Sequence, residues 1–200
     1  MTYRLAWKVL GLNGEPVHGG KKSWPLPPRY GTPGKWMEES GPISACHEGT
    51  LHGCADAMQL LHWINAPAVW VIEIDEGRGF QMLDDKCAFK RSRLTHRVEH
   101  WNETTMRLFA ADCAEQVSHL SGDEARFGEI LRVVRRYALG IASKKELVSA
   151  WASARGAAWA SARNSAWNEA WAWQAARLLE YLHGRVDIEA ISRSVSKEER

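Results

Sequence analysis

The densest cluster of chemistry-bearing side chains is ACHEGTLHGC, residues 45–54, where Cys46, His47, His52 and Cys54 fall within nine residues. Thiolate and imidazole are zinc ligands, and Gly49 and Gly53 allow the backbone to fold them together. The spacing is not that of the common zinc fingers, which use two close pairs well apart in the chain. The same residues also allow a thiolate nucleophile activated by a histidine base, although no third residue is marked out to orient the base. The plainest alternative is structural: small buried thiols and a histidine bonded locally in a turn. Apart from zinc at these four positions, no cofactor is expected. Glu73 and Asp75 in WVIEID alternate with apolar neighbours, the pattern of a half-buried strand rather than of an acid–base pair.

A second candidate is a surface. The run AWASARGAAWASARNSAWNEAWAW, residues 150–173, holds five of the chain's eleven tryptophans. Trp151, Arg155, Trp159, Arg163, Trp167 and Trp171 follow one another at four-residue steps, so on an α-helix they form one row. Each step overshoots a full turn by about 40°, and the row winds slowly around the helix. Alternating indole and guanidinium permits cation–π stacking, about 0.5–1 kcal/mol per exposed contact. Most such rows are core. A winding row cannot all face one core, however, and Trp and Arg are the residues that dominate interface hot spots. These six residues are therefore the expected partner-binding face.

The elements that position these groups divide the chain in two. All seven prolines lie at or before Pro67, which confines long helices to the remainder. Before residue 102 the sequence predicts a strand over YRLAWKVL, a turn at LNGEP, a loop through SWPLPPRYGTPGKW, a helix over ADAMQLLHWI, a strand over AVWVIEI and a short strand through CAFKRSRLT. From Asn102, a plausible cap, Met106, Phe109, Ala110, Cys113, Val117 and Leu120 recur at helical spacing. A second helix is expected from Ser121 or Asp123 to Gly140, burying Phe127, Ile130, Leu131, Val134 and Tyr137. Ser143 and Glu146 form a capping box for a third. Unbroken to Gly184, that helix would be about forty residues and on the order of 60 Å long, so a break near Gly156 or Asn164 is expected. The expectation is α+β: a small mixed or antiparallel-sheet domain over 1–101, an all-α helical bundle over 102–184, and a polar, frayed segment over 185–200.

Composition narrows the function. With 200 residues and 45% apolar content the chain can bury a real core. A net charge of +2 lacks the concentrated positive charge of a duplex-binding module, and nucleic acid is not the expected partner. The N-terminus has no signal-peptide pattern and no segment is apolar for eighteen residues, so a cytoplasmic protein without a membrane partner is expected. In a reducing compartment the four cysteines stay as thiols.

Two resemblances add to this. RLFAADCAEQV, RRYALGIASKKELVSAWASAR and WQAARLLEYL resemble the alanine-rich helical domain of bacterial and phage immunity proteins, over about residues 103–182. That resemblance implies a non-enzymatic protein that neutralises a toxin by binding it, although the tryptophan content departs from the usual alanine and arginine. Upstream, GKWMEESGPISACHEGTLHGCADAMQLLHW and VIEID…RLTHRVEHWNE are similar to an uncharacterised domain of phage and actinobacterial proteins, over about residues 5–103. Its outline is similar to ADP-ribosyltransferase-like folds, an analogy of fold alone. The His, Tyr or Ser, and Glu triad of that fold does not map residue by residue; Tyr3, His52 and Glu73 are only of the right types.

The expected function is therefore binding of a host or toxin protein, immunity-like or anti-defence, by a phage- or prophage-encoded chain. The alternative is a nucleotide-using enzyme with its site in the N-terminal domain and the 46–54 turn at its mouth. A further alternative is self-assembly, because an Ala/Trp helix can pair with its own copy.

Overall fold

A computed structural model of the chain describes residues 2–29, 31–44, 49–120, 123–154 and 166–197. Its first element, β1 (Tyr3–Leu10), pairs antiparallel with β4 (Ala68–Asp75) along its whole length, Tyr3 opposite Asp75 and Leu10 opposite Ala68. β4 pairs in turn with β7 (Arg91–Arg97), and β7 with β2 (Met37–Glu38), in a sheet of order β1-β4-β7-β2. A second antiparallel sheet has the order β3-β6-β5, from β3 (Leu51–Gly53), β5 (Phe80–Met82) and β6 (Cys87–Phe89). Trp7 and Cys54 exchange two backbone hydrogen bonds of 2.8 Å, which join the sheets. A Cβ on Gly53 would lie 2.8 Å from Ile72 Cδ1 and 3.0 Å from the Trp7 carbonyl oxygen, so only glycine allows this approach.

One apolar cluster draws on both sheets: Ala6, Leu10, Trp24, Leu51, Trp70, Ile72, Ile74, Cys87, Phe89 and Leu94. Full burial of a side chain such as Phe89 or Ile72 stabilises the fold by about 1.5–3 kcal/mol. The face of β1 that enters this cluster carries Arg4, Ala6, Lys8 and Leu10; the more apolar alternate set leaves Tyr3 43% and Leu5 67% exposed. That inversion places a lysine where the pattern calls for an apolar residue. The helix α1 (Ala57–Trp63) starts on Asp56, whose carboxylate accepts from the Gln59 amide. The single strand expected through CAFKRSRLT is two, β6 and β7, separated at Lys90.

The chain divides into two compact units, Met1–Trp101 and Asn102–Arg200. The second contains α2 (Glu103–Gln116), α3 (Glu124–Ala138), α4 (Lys144–Ala154), α5 (Ala166–Leu182) and α6 (Ile188–Lys197). Asn102 and Thr105 cap α2 reciprocally, Asp123 caps α3, and Ser143 with Glu146 starts α4. The overall class is mixed α and β, with antiparallel sheets and six α-helices among the described residues. Within the second unit α2 packs on α3 and α5, and α3 on α4 and α6. The expected break at Gly156 or Asn164 lies outside the described residues.

One expectation needs correction. The buried face of α2 is Thr105, Leu108, Phe109, Ala111 and Asp112, and Ala110 is exposed. Apolar periodicity could not locate this face, because it includes a carboxylate that draws cations from other helices. The segment that follows α5 contains α6; Asp187 accepts from the Ala190 amide at its start and Val195 is buried.

Candidate functional site

A cleft of about 770 Å³ opens in the N-terminal unit. Its basic lining is Lys8, Lys21, Lys22, Lys86, His18 and His52, with Glu39 the single carboxylate among the described lining residues; Trp24 and Trp63 supply aromatic walls. Each group is placed by an identifiable piece of local structure. Beyond β1 the chain turns, Gly11 donating to the Glu15 carbonyl, and returns as an isolated bridge between Leu10 and Pro16. This brings the segment HGGKK, residues 18–22, across the cleft. Gly19 takes φ +79°, a conformation that side chains with a Cβ rarely adopt. His18 Nε2 donates to the Trp63 carbonyl at 3.0 Å and its ring meets the Trp63 indole edge-on. Lys22 pairs with Glu39 at 2.6 Å.

The opposite wall is held from α1. Gln59, almost fully buried, donates through Nε2 to the carbonyls of Leu83 (2.8 Å) and Lys86 (3.2 Å), while Trp63 Nε1 donates to the Asp85 carbonyl at 2.7 Å. The turn over 83–86 is thereby fixed, with Lys86 Nζ 5.2 Å from the Trp63 ring centre and 3.3 Å from Asp85. Lys90, also buried, donates through Nζ to the carbonyls of Ser40 (3.3 Å) and Gly49, and so holds the rim residue Gly49 in place.

Lys8 is half-buried in this lining. Its Nζ stands 5.5 Å from the Trp24 ring centre, and among the described residues it meets no carboxylate. Desolvation by burial pushes its ammonium down to about 8. The neighbouring thiols do not neutralise it, because burial pushes Cys54 up to about 12 and Cys87 up to about 11. His52 is pushed down to about 4, first by burial and then by the charges of Lys8 and Lys86, so its imidazole is neutral at physiological pH. A cleft with this balance suits an anion, and its indoles suit a planar or apolar portion attached to it.

The residues expected from the sequence fare unequally. His52 and Cys54 both line the cleft, two positions apart on one extended segment. Cys46 and His47 lie outside the described residues. Among the described residues no group of three or more His, Cys, Asp or Glu side chains is placed to hold a metal ion. Cys54 is buried with a raised thiol, a poor nucleophile. Glu73 and Tyr3 sit on the sheet face turned away from the core cluster, Glu73 paired with Arg93 at 2.6 Å, so no triad assembles with His52. Asp75 is likewise committed, to Arg91 at 2.8 Å.

Of the tryptophan row, Trp171 on α5 is half-buried. Arg155, Trp159 and Arg163, and the side chains of Trp151 and Trp167, lie outside the described residues. The signal that sequence reasoning missed was nearer the start: a glycine pair followed by two lysines at 19–22, and the lysine within the apolar strand YRLAWKVL.

The C-terminal unit handles charge differently. Asp112 is only 7% exposed, and it accepts from Arg135 Nη2 (2.9 Å), Arg177 Nε (2.8 Å) and Tyr181 OH (2.8 Å). One carboxylate thus ties α2 to α3 and α5. Burial, with the Asp112 charge beside it, pushes the Tyr181 phenol well above its ordinary range.

Among the described residues, no helix is long and apolar enough to cross a membrane. Compared with protein-family models, curated proteins and solved structures, the chain matches none of them.

Proposed function

We propose that the N-terminal unit is a binding module for a small anionic ligand carrying a planar or apolar group, of which nucleotides are the best-fitting class. The observation that carries this reading is the convergence of Lys8, Lys21, Lys22 and Lys86 on one cleft walled by Trp24 and Trp63, with Glu39 as the one acidic lining residue among those described. Lysines supply point charges for phosphate oxygens, and an indole face accepts a base. The reading follows the nucleotide alternative as far as binding. It assigns no reaction.

The experiment is a thermal-shift series with inorganic phosphate, pyrophosphate, mononucleotides and a dinucleotide. A ligand present at a hundred times its Kd stabilises the native state by about 2.7 kcal/mol, a shift of several degrees. The double variant Lys21→Ala/Lys86→Ala should weaken binding about tenfold or more while remaining folded. A flat response to the whole series at millimolar concentration contradicts the proposal.

Protein capture by the C-terminal unit is a second reading, supported by its resemblance to immunity proteins and by Ile141 and Val148, 41% and 58% exposed before and on α4. Its partner class is a host or toxin protein. Pull-down with wild type and with a folded Trp151→Ala/Trp159→Ala variant tests it, since one stoichiometric protein captured only by wild type is the expected result.

A further inference from the structure

Resting on the anion-cleft reading, we propose that Lys8 is a carbonyl-trapping lysine whose amine condenses with an aldehyde or ketone on the anionic ligand to form an imine.

The argument begins with where the lysine is. It occupies the core-facing set of β1 between Ala6 and Leu10, opposite Trp70, where an apolar side chain would serve the fold better. Arg135 and Arg177 are met by the buried Asp112, and the buried Lys90 by the carbonyls of Ser40 and Gly49. Lys8 has instead an indole, two protonated thiols and open cleft beside it. Anion recognition is already provided by Lys21, Lys22 and Lys86. What Lys8 adds is a different chemistry.

Burial favours the neutral amine, the form with a nucleophilic lone pair. With the ammonium pushed down to about 8, the neutral fraction near pH 7 is roughly 300-fold that of an exposed lysine. The other lysines on the same lining attract the anionic part of the ligand. In the condensation the Nζ lone pair forms a bond to the carbonyl carbon while the carbonyl π pair moves to oxygen. The two nitrogen protons pass to that oxygen, which leaves as water as the C=N bond forms. No oxidant or reductant is consumed. His52, on the strand that contacts β1 and neutral at physiological pH, is the nearby group able to accept a proton from nitrogen and return it to oxygen.

Pyridoxal 5′-phosphate is the probe, because it joins an aldehyde, a planar ring and a phosphate in one small molecule. The full chain is incubated with less than one equivalent, reduced with borohydride and mapped by peptide mass spectrometry. The expected result is an adduct on Lys8 at least tenfold above Lys35, Lys144 and Lys145, and suppressed by pyrophosphate. Lys8→Arg, which keeps the charge but removes the reactive amine, should abolish the adduct at this position without raising the labelling of Lys35, Lys144 or Lys145. Lys8→Gln, checked by circular dichroism, guards against misfolding of the arginine variant. Adducts spread over surface lysines, or no Lys8 adduct with pyrophosphate binding intact, would overturn the imine and leave the anion cleft standing. If neither pyrophosphate nor the probe shifts the wild-type melting temperature, both readings fall.

Discussion

Asp112 is a buried charge and Lys8 a half-buried one, and they are treated in opposite ways. Around Asp112 every carboxylate oxygen is answered from within the protein, by two guanidinium groups and a phenol drawn from α3 and α5. Around Lys8 the protein supplies no counter-charge among the described residues, and further cations share the same cleft. The first arrangement is closed and serves architecture. The second is open, and the proposed anion would complete it. The difference separates a polar cluster closed within the protein from one that faces a cleft.

The largest expected effect breaks the closed arrangement. Asp112→Ala leaves Arg135 and Arg177 without their shared acceptor, and should cost about 3–5 kcal/mol, read as a fall in the denaturation midpoint of the C-terminal unit. A loss below about 1 kcal/mol would mean that the cluster contributes nothing specific.

The open arrangement predicts the reverse sign. Lys8→Met removes an uncompensated charge from the core-facing set of β1, so it should raise stability by about 1–3 kcal/mol, with anion binding weakened but still supported by Lys21, Lys22 and Lys86. A destabilised variant would place Lys8 with Asp112 as a structural residue and dissolve the contrast.

The same asymmetry governs pH. Lys8 gives up its proton near 10.5 when unfolded and near 8 when folded, so the unfolded state binds more protons in that window. Stability therefore rises as pH climbs from about 8 to about 10.5, and Lys8→Met should flatten that limb. His52 titrates near 6.5 unfolded and about 4 folded; again the unfolded state binds more protons, and stability is lost as pH falls through that interval. His52→Gln should remove this second limb. Denaturation curves collected across both ranges test the two signs.

The smallest effect belongs to ordinary helix capping. Ser143→Ala removes the hydroxyl that accepts from the Glu146 amide at 3.2 Å, and should cost about 1 kcal/mol at neutral pH. It calibrates what a local polar contact is worth beside Asp112 and Lys8.

Much of the architecture was legible because local chemistry determined it. The caps at Asn102, Asp123 and Ser143 mark where three helices begin, and the alternation in AVWVIEI marks β4. What failed to show were the features decided by distant partners. The strands at 37–38, 51–53 and 80–82 are too short to carry a period. The core face of α2 turns toward Asp112 because of arginines 23 and 65 residues away. On β1 Lys8 shares the set of Ala6 and Leu10 that joins the core cluster, while Tyr3 and Leu5 of the other set are exposed, so a pattern-based reading directs attention to Trp7 and away from Lys8. Of the cleft, His52 and Cys54 stood out by residue type alone; the lysines that give it its charge come from three separate segments and converge only in the fold.

The central claim is that Lys8 is an uncompensated cation in a ligand cleft, and it is tested most directly by NMR titration of 13Cε-labelled lysines with and without pyrophosphate. The account predicts one lysine signal, absent in Lys8→Arg, that titrates near 8 in the free protein and moves upward when pyrophosphate binds. A Lys8 signal that titrates with the exposed lysines, near 10.5 and unmoved by pyrophosphate, would contradict it.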